Sequence, residues 1–258
     1  MIERVVISIF LMSVLLCSAC STVIMAPDVS APTQSQAQRA WSDVLTDVVD
    51  DTGRVDFGSL QRNPERLERY VSYVSSFDPR MLANSEERLA YYLNSYNALA
   101  MYGVVQKGVP EDFDSTFKRL RFFLLTKFIV GGEEVSLYSY ENDRIRALGE
   151  PRVHFALNCM SVGCPRLPRV PFEAAILDEQ LEQAAVEFFE SDKYVVVNNE
   201  KREVALSEIL DFFTEDFVNP EQASSLIEFV NRFRQSPIPV DYKVTFIPYD
   251  WRINAQEA

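Results

Sequence analysis

The sequence predicts an α+β fold, a single domain of mixed helices and antiparallel hairpins. Three observations carry this. Several stretches place apolar residues at helical spacing. Two pairs of short β-prone runs flank turn residues, at Gly131-Gly132 and at Asn198-Asn199-Glu200-Lys201. Strands and helices do not alternate regularly, as parallel βαβ units require. No internal repeat is present.

The elements follow in order. Trp41, Val44, Leu45, Val48 and Val49 make residues 38–49 an amphipathic helix, stopped by Asp50-Asp51-Thr52-Gly53. Val55-Asp56-Phe57 is a short extended piece. Asn63-Pro64-Glu65 opens a second helix with Leu67, Tyr70, Val71 and Val74 on one face. Ser85-Glu86-Glu87 opens a third, running to about Gln106. Its centre is apolar apart from Asn94, Ser95 and Asn97, so it reads as a buried core helix and not a membrane span. Residues 122–130 and 133–137 form a hairpin, because Gly131-Gly132 permits the positive φ of a tight turn. A short helix at 140–148, a buried strand at 153–157 and a long helix at 172–191 with an acidic, solvated face come next. Residues 194–197 and 203–206 make a second hairpin. Residues 207–213 and 220–233 are helical, and 243–248 is a last strand before Tyr249-Asp250-Trp251.

The amino terminus differs from the rest. Arg4 is followed by a run to Cys17 that is apolar apart from Ser8 and Ser13, and then by Ser18-Ala19-Cys20. The run is too short for a comfortable span and reads as a secretory signal over 1–19. Cys17-Ser18-Ala19-Cys20 resembles a lipobox, with Cys17 where leucine is usual. That resemblance implies lipidation of Cys20. Ser21 beside it implies sorting to an outer membrane, facing the periplasm. Residues 20–37, rich in Ala, Pro, Ser, Thr and Gln, then read as a lipidated tether, with the globular body at 38–258.

The net charge of −13, from 25 basic and 38 acidic residues, repels phosphate backbones and excludes nucleic acid as a partner. It also repels an anionic lipid surface, so the expected membrane partnership runs through the lipid anchor. A small molecule, peptide or protein of the cell envelope remains as further partner. Nothing in the sequence implies a cofactor: it holds no phosphate-binding loop, dinucleotide motif, zinc-protease motif or serine elbow.

Beyond the anchor, the body has two cysteines and one histidine: Cys159, Cys164 and His154. Three readings stay open. Cys159 is a nucleophile with His154 as acid–base, oriented by Asn94, Asn97, Glu141 or Asp250. Alternatively Cys159 and Cys164 form a disulfide, which an oxidising compartment allows. The third reading is a metal site, for which no carboxylate has diagnostic spacing. On a continuous strand, residues five apart lie ~17 Å apart on opposite faces, so His154 and Cys159 meet only if the chain turns. Tyr96 and Asn158 are further cleft candidates.

The stretch His154 to Pro165 is where the chain resembles the domain-of-unknown-function-547 family. Gly53-Arg54-Val55-Asp56-Phe57, Leu93-Asn94-Ser95-Tyr96-Asn97-Ala98-Leu99, Gly131-Gly132 with Glu141-Asn142, and Phe246 to Asn254 are similar to that family's other motifs. Tyr138-Ser139-Tyr140 departs from it, as does Tyr92. The family name implies no activity. A helix followed by a histidine strand is also an arrangement of papain-like and transglutaminase-like folds, which makes a distant relation an expectation by analogy. The sequence therefore points to an envelope hydrolase or acyl/amide transferase with a cleft around His154. The alternative is a non-catalytic binding or scaffold lipoprotein on an enzyme-like fold.

Overall fold

The fold is organised around one helix. In this computed structural model, which describes residues 21–30 and 32–257, Ser85–Gln106 runs through the first of two cores. Asn84 caps it by accepting from the Glu87 N–H. Every residue from Leu89 to Val104 is buried, as a helix apolar all round demands. No helix among the described residues is long and apolar enough to cross a membrane.

Numbered in chain order, the elements are β1 (Thr22–Ile24), α1 (Gln34–Val48), α2 (Phe57–Arg62), α3 (Glu65–Ser76), the central α4 (Ser85–Gln106), α5 (Thr116–Arg119), β2 (Thr126–Val130), β3 (Glu133–Ser136) and α6 (Leu137–Tyr140). After these come α7 (Leu177–Glu190), β4 (Val195–Asn198), β5 (Glu203–Ser207), α8 (Ile209–Phe212), α9 (Thr214–Phe217), α10 (Leu226–Asn231) and β6 (Lys243–Ile247). The expected α+β class holds. Both hairpins form, β2–β3 and β4–β5, each antiparallel and each extended by a parallel edge strand, β1 and β6, but the first strand begins at Thr126 and not at residue 122, because Leu120–Leu125 is a wide helical turn. Gly131 and Gly132 both take positive φ, 58° and 82°. Their N–H groups donate to the Val74 and Ser75 carbonyls, which docks the hairpin on the end of α3.

The first core joins α1, α3, α4 and the β2–β3 hairpin, with Trp41 stacked on Tyr70 at 5.4 Å between ring centroids. The second is phenylalanine-rich and joins α7, α9, α10 and the sheet β4–β5–β6 around Phe155, Phe188, Phe189, Phe217 and Phe229. Among the described residues, the apolar side chains that pack in the two cores lie between Ile24 and Ala255.

Several expected elements change. The strand at 153–157 is instead a tight 3₁₀ turn over Pro151–Phe155. Pro151 presets its first φ, and Glu150 accepts from the Arg152 N–H. A short apolar run buried on all sides does not tell strand from helix by periodicity, and here the proline and its cap decide. The expected papain-like relation loses its ground with that strand, since it rested on a strand-borne histidine. The long helix starts at Leu177 and not at residue 172, because Asn94 holds the Phe172 backbone out of it. The helix expected at 140–148 is α6 followed by a wide turn (Glu141–Ile145) and a 3₁₀ turn, closed by Gly149 at φ 75°. Of residues 220–233, only α10 is α-helical. Residues 20–37 are not all tether: Thr22–Ile24 pairs with β2, and α1 begins at Gln34 under a Thr33–Gln36 capping box. The signal and Cys20 lie outside the described residues.

Candidate functional site

A cleft of about 390 Å³ opens where α4, α5, α6, α8 and the carboxyl-terminal segment converge. Its walls are largely apolar, with Leu120, Phe123, Leu124, Phe212, Phe213 and Trp251 among the lining residues. Polar groups reach it from Tyr96, Glu141, His154, Cys159, Cys164 and Tyr249. An apolar cavity with a few convergent polar groups is the usual form of a ligand site.

Tyr96 projects from α4, and its hydroxyl donates to Glu141 Oε2 at 3.0 Å. Burial pushes the Glu141 carboxyl above its ordinary range, while His154 and the Tyr96 hydrogen bond pull the other way. Burial likewise raises the Tyr96 phenol, and Glu141 adds to it.

His154 is 3% exposed. Its ring stacks on Phe213 at 4.1 Å and meets Phe217 edge-on. Nε2 lies 2.7 Å from Asp216 Oδ2. Arg146 holds the same carboxylate through Nε at 2.6 Å and through a second nitrogen at 2.8 Å. Burial opposes ionisation of Asp216, but the hydrogen bonds from His154 and Arg146 outweigh it and hold the carboxyl well below its usual range. An ionised Asp216 only accepts, so Nε2 carries a proton. This leaves Nδ1 without a hydrogen-bond partner among the described residues, on a ring that lines the cleft.

The thiols form the other polar group. Cys159 and Cys164 are free, with Sγ atoms 3.0 Å apart. The Cys159 N–H donates to Cys164 Sγ, and the Tyr249 hydroxyl sits 3.3 Å from one sulfur and 3.0 Å from the other. The hydrogen bond from Cys164 pulls the Cys159 thiol down to about 7 against burial, with Ser161 and Tyr249 helping. Burial pushes Cys164 up, so Cys159 is the one of the pair that ionises first. The loop that turns the sulfurs together is built from Asn158. Its side chain accepts from the Met160 N–H and donates to the Pro165 carbonyl, and Met160 takes a left-handed φ of 68°. Gly163 lets Tyr249 approach: a Cβ there would meet the Tyr249 ring at 2.9 Å.

Of the expected site residues, Tyr96, Glu141, His154, Cys159 and Cys164 therefore meet in one cleft. Four others do not line it. Asn94 faces away, accepting from Trp41 Nε1 and the Phe172 N–H and donating to the Phe172 carbonyl. Asn97 clamps the histidine turn to the cysteine loop, donating to Ala156 and accepting from the Asn158 N–H. Asn158 is spent on its loop. Asp250 pairs with Arg252. The three asparagines are buried amides whose hydrogen bonds must be satisfied, and they are spent on the fold. No hydrogen bond joins His154 to either thiol among the described residues. No group of three or more His, Cys, Asp or Glu among them could hold a metal. Sequence reasoning missed Asp216, the residue that orients His154; nothing in Thr214-Glu215-Asp216-Phe217 marks it, since it lies 62 positions away. It missed Arg146 for the same reason.

Asp216 ties the site to acid stability. Its carboxyl is lowered on folding, so it stabilises the fold above the unfolded value near pH ~3.9, and that contribution is lost as pH falls below it. Asp216→Asn should cost about 2 kcal/mol at neutral pH, and the gap from the parent should narrow below pH ~3.9. Urea titrations across that range measure it; a gap independent of pH would remove the ion pair from the account.

Residues 79–189 match the model of a family described as Protein of unknown function, DUF547. The match supports the DUF547 resemblance read from the motifs. The DUF547 segment contains Tyr96, Glu141, His154, Cys159 and Cys164, whereas Asp216 and Tyr249 come from outside it. No curated protein and no solved structure matches the chain.

Proposed function

We propose that the chain is an envelope lipoprotein, anchored through Cys20 to an outer membrane, whose cleft carries out hydrolysis or acyl transfer on a carbonyl substrate. The observation that carries the chemistry is one cleft lined both by a thiol lowered to about 7 and by a histidine held by a buried-side carboxylate. Supporting the anchor is the lipobox-like run before Ser21.

In this reading the Cys159 thiolate adds to the carbonyl carbon. The bond to the leaving group breaks, and that group takes a proton from the His154 ring, whose charge Asp216 stabilises. Water then attacks the thioester and gives one proton to His154; the C–S bond breaks, the carboxylic acid leaves, and Cys159 returns as the thiolate beside a protonated His154. Tyr249 and Cys164, both donors beside Cys159, are the groups this reading assigns to a developing oxyanion. Apo hydrogen bonds of catalytic groups are often long or absent and tighten with substrate, so the missing His154–thiol bond does not remove the reading. It does favour a second one, a binding lipoprotein whose cleft holds a ligand without reaction.

Alkylation of Cys159 by iodoacetamide should accelerate as pH rises through about 7, because the thiolate is the nucleophile. Mass spectrometry of the tryptic peptide reads it; a rise only above pH ~8.5 would mean an ordinary thiol. An activated acyl ester should leave an acyl group on Cys159, and His154→Ala should slow its release. Ligand binding unaffected by His154→Ala, with no acyl adduct, would select the binding reading.

A further inference from the structure

Residues 116–127 read Thr-Phe-Lys-Arg-Leu-Arg-Phe-Phe-Leu-Leu-Thr-Lys: four cations and no acid, in a chain of net charge −13. They form α5 and a wide helical turn over Leu120–Leu125. Phe117, Leu120 and Leu124 all reach the surface of this segment, 68%, 42% and 38% exposed. The inner face is occupied by Phe122, stacked on Phe113 at 4.4 Å. Exposed apolar side chains grouped in this way are unusual on a monomer and mark a contact surface.

Three observations say what covers it. The first is charge. Lys118 is paired with Asp112, and Arg119 lies over Trp251 and is hydrogen-bonded to the Phe113 and Asp114 carbonyls. Arg121 and Lys127 have no acidic partner among the described residues, and Lys107 lies close enough to Arg121 to feel its charge. An apolar stripe flanked by free cations suits the boundary of an anionic phospholipid surface. The second is position. Thr22 pairs with Thr126, so the end of this segment lies one strand spacing, ~5 Å, from a residue only two positions after Cys20. The third is continuity. Leu120 and Leu124 also line the cleft, whose rim includes the exposed Tyr138 and Phe212.

We propose that residues 116–125 are a membrane-docking element. The Phe117–Leu120–Leu124 stripe enters the headgroup–acyl boundary of an anionic phospholipid surface, Arg121 and Lys127 meet its headgroups, and the mouth of the cleft opens onto it. Only the second observation rests on the anchor reading. The test therefore omits the anchor: if docking fails there, lipidation at Cys20 and the chemistry of the cleft stand untouched.

The chain from Ser21, which keeps every described core residue and is first checked for cooperative thermal unfolding, is floated with vesicles of phosphatidylcholine, with and without phosphatidylglycerol. Binding is expected to the phosphatidylglycerol vesicles and to fall with added salt. The variant Phe117→Ser/Leu120→Ser/Leu124→Ser should bind about tenfold more weakly or worse. Arg121→Glu/Lys127→Glu should lose the preference for phosphatidylglycerol, and Val240→Ser, an exposed apolar residue outside the segment, should behave as the parent. All are surface changes, and thermal melting checks that each unfolds as the parent does. Failure of the parent to bind either vesicle would overturn the proposal, as would equal binding by the stripe variant. So would a dimer that the stripe variant dissolves, because the stripe would then hold a second copy of this chain.

Discussion

Asn94→Ala is expected to lower stability by about 4 kcal/mol while leaving the activity of each folded molecule unchanged. The Asn94 amide satisfies three buried groups: the Trp41 indole N–H, the Phe172 N–H and the Phe172 carbonyl. Each group stranded without a partner costs about 1–3 kcal/mol. Asn94 also lines a surface pocket with Trp41 and Phe172, so water entering there recovers part of the loss and keeps it toward the lower end of that sum. The loss is a large part of the roughly 5–15 kcal/mol that holds a typical domain together. Chemical denaturation measures it, and cleft chemistry measured on the folded fraction provides the second readout. A variant that stays stable but loses activity would return Asn94 to the active cleft and undo the assignment made from its hydrogen bonds.

Cys159→Ser is expected to reduce any acyl-transfer or hydrolytic activity by about a thousandfold or more, with little change in stability. A serine hydroxyl keeps the shape and can still meet Cys164 and Tyr249. What it lacks is the ionisation near 7 that these neighbours give the thiol. Cys164→Ala should be milder in the chemical step, because burial disfavours ionisation of Cys164 itself, but it removes the hydrogen bond that contributes most to lowering Cys159. Its expected mark is therefore a rightward shift of the pH–rate profile. If Cys159→Ser keeps full activity with carbonyl substrates, the thiolate mechanism is wrong. If the parent is inactive until reduced, the two sulfurs, already 3.0 Å apart, were joined as a disulfide.

Much of the fold was legible before any coordinate. Ser85–Gln106 announced itself by length, cap and composition, and Gly131-Gly132 by the turn only glycine makes easily. These are local signals, decided within a few residues. Errors came where local signals tie. Residues 153–157 are buried all round, so strand and 3₁₀ turn leave the same apolar pattern, and the Pro151 cap settled it. Phe172 has the composition of a helix start, yet Asn94, 78 positions earlier, holds its backbone elsewhere.

The site divides along the same line. Sequence alone determined which chemistry the body possesses: a single histidine, two thiols five positions apart, and a helix bearing polar residues among apolar ones. Residue type is a property of each position, and rarity makes it informative. Only the tertiary structure decided who meets whom. It brought Tyr96, Glu141, His154, Cys159 and Cys164 to one cleft and turned Asn94, Asn97, Asn158 and Asp250 to other work. It added Asp216 to His154, and Tyr249 to the sulfurs across 90 and 85 positions. Hydrogen bonds and burial act over a few ångströms in space. Separation along the chain does not predict those distances until the cores have closed.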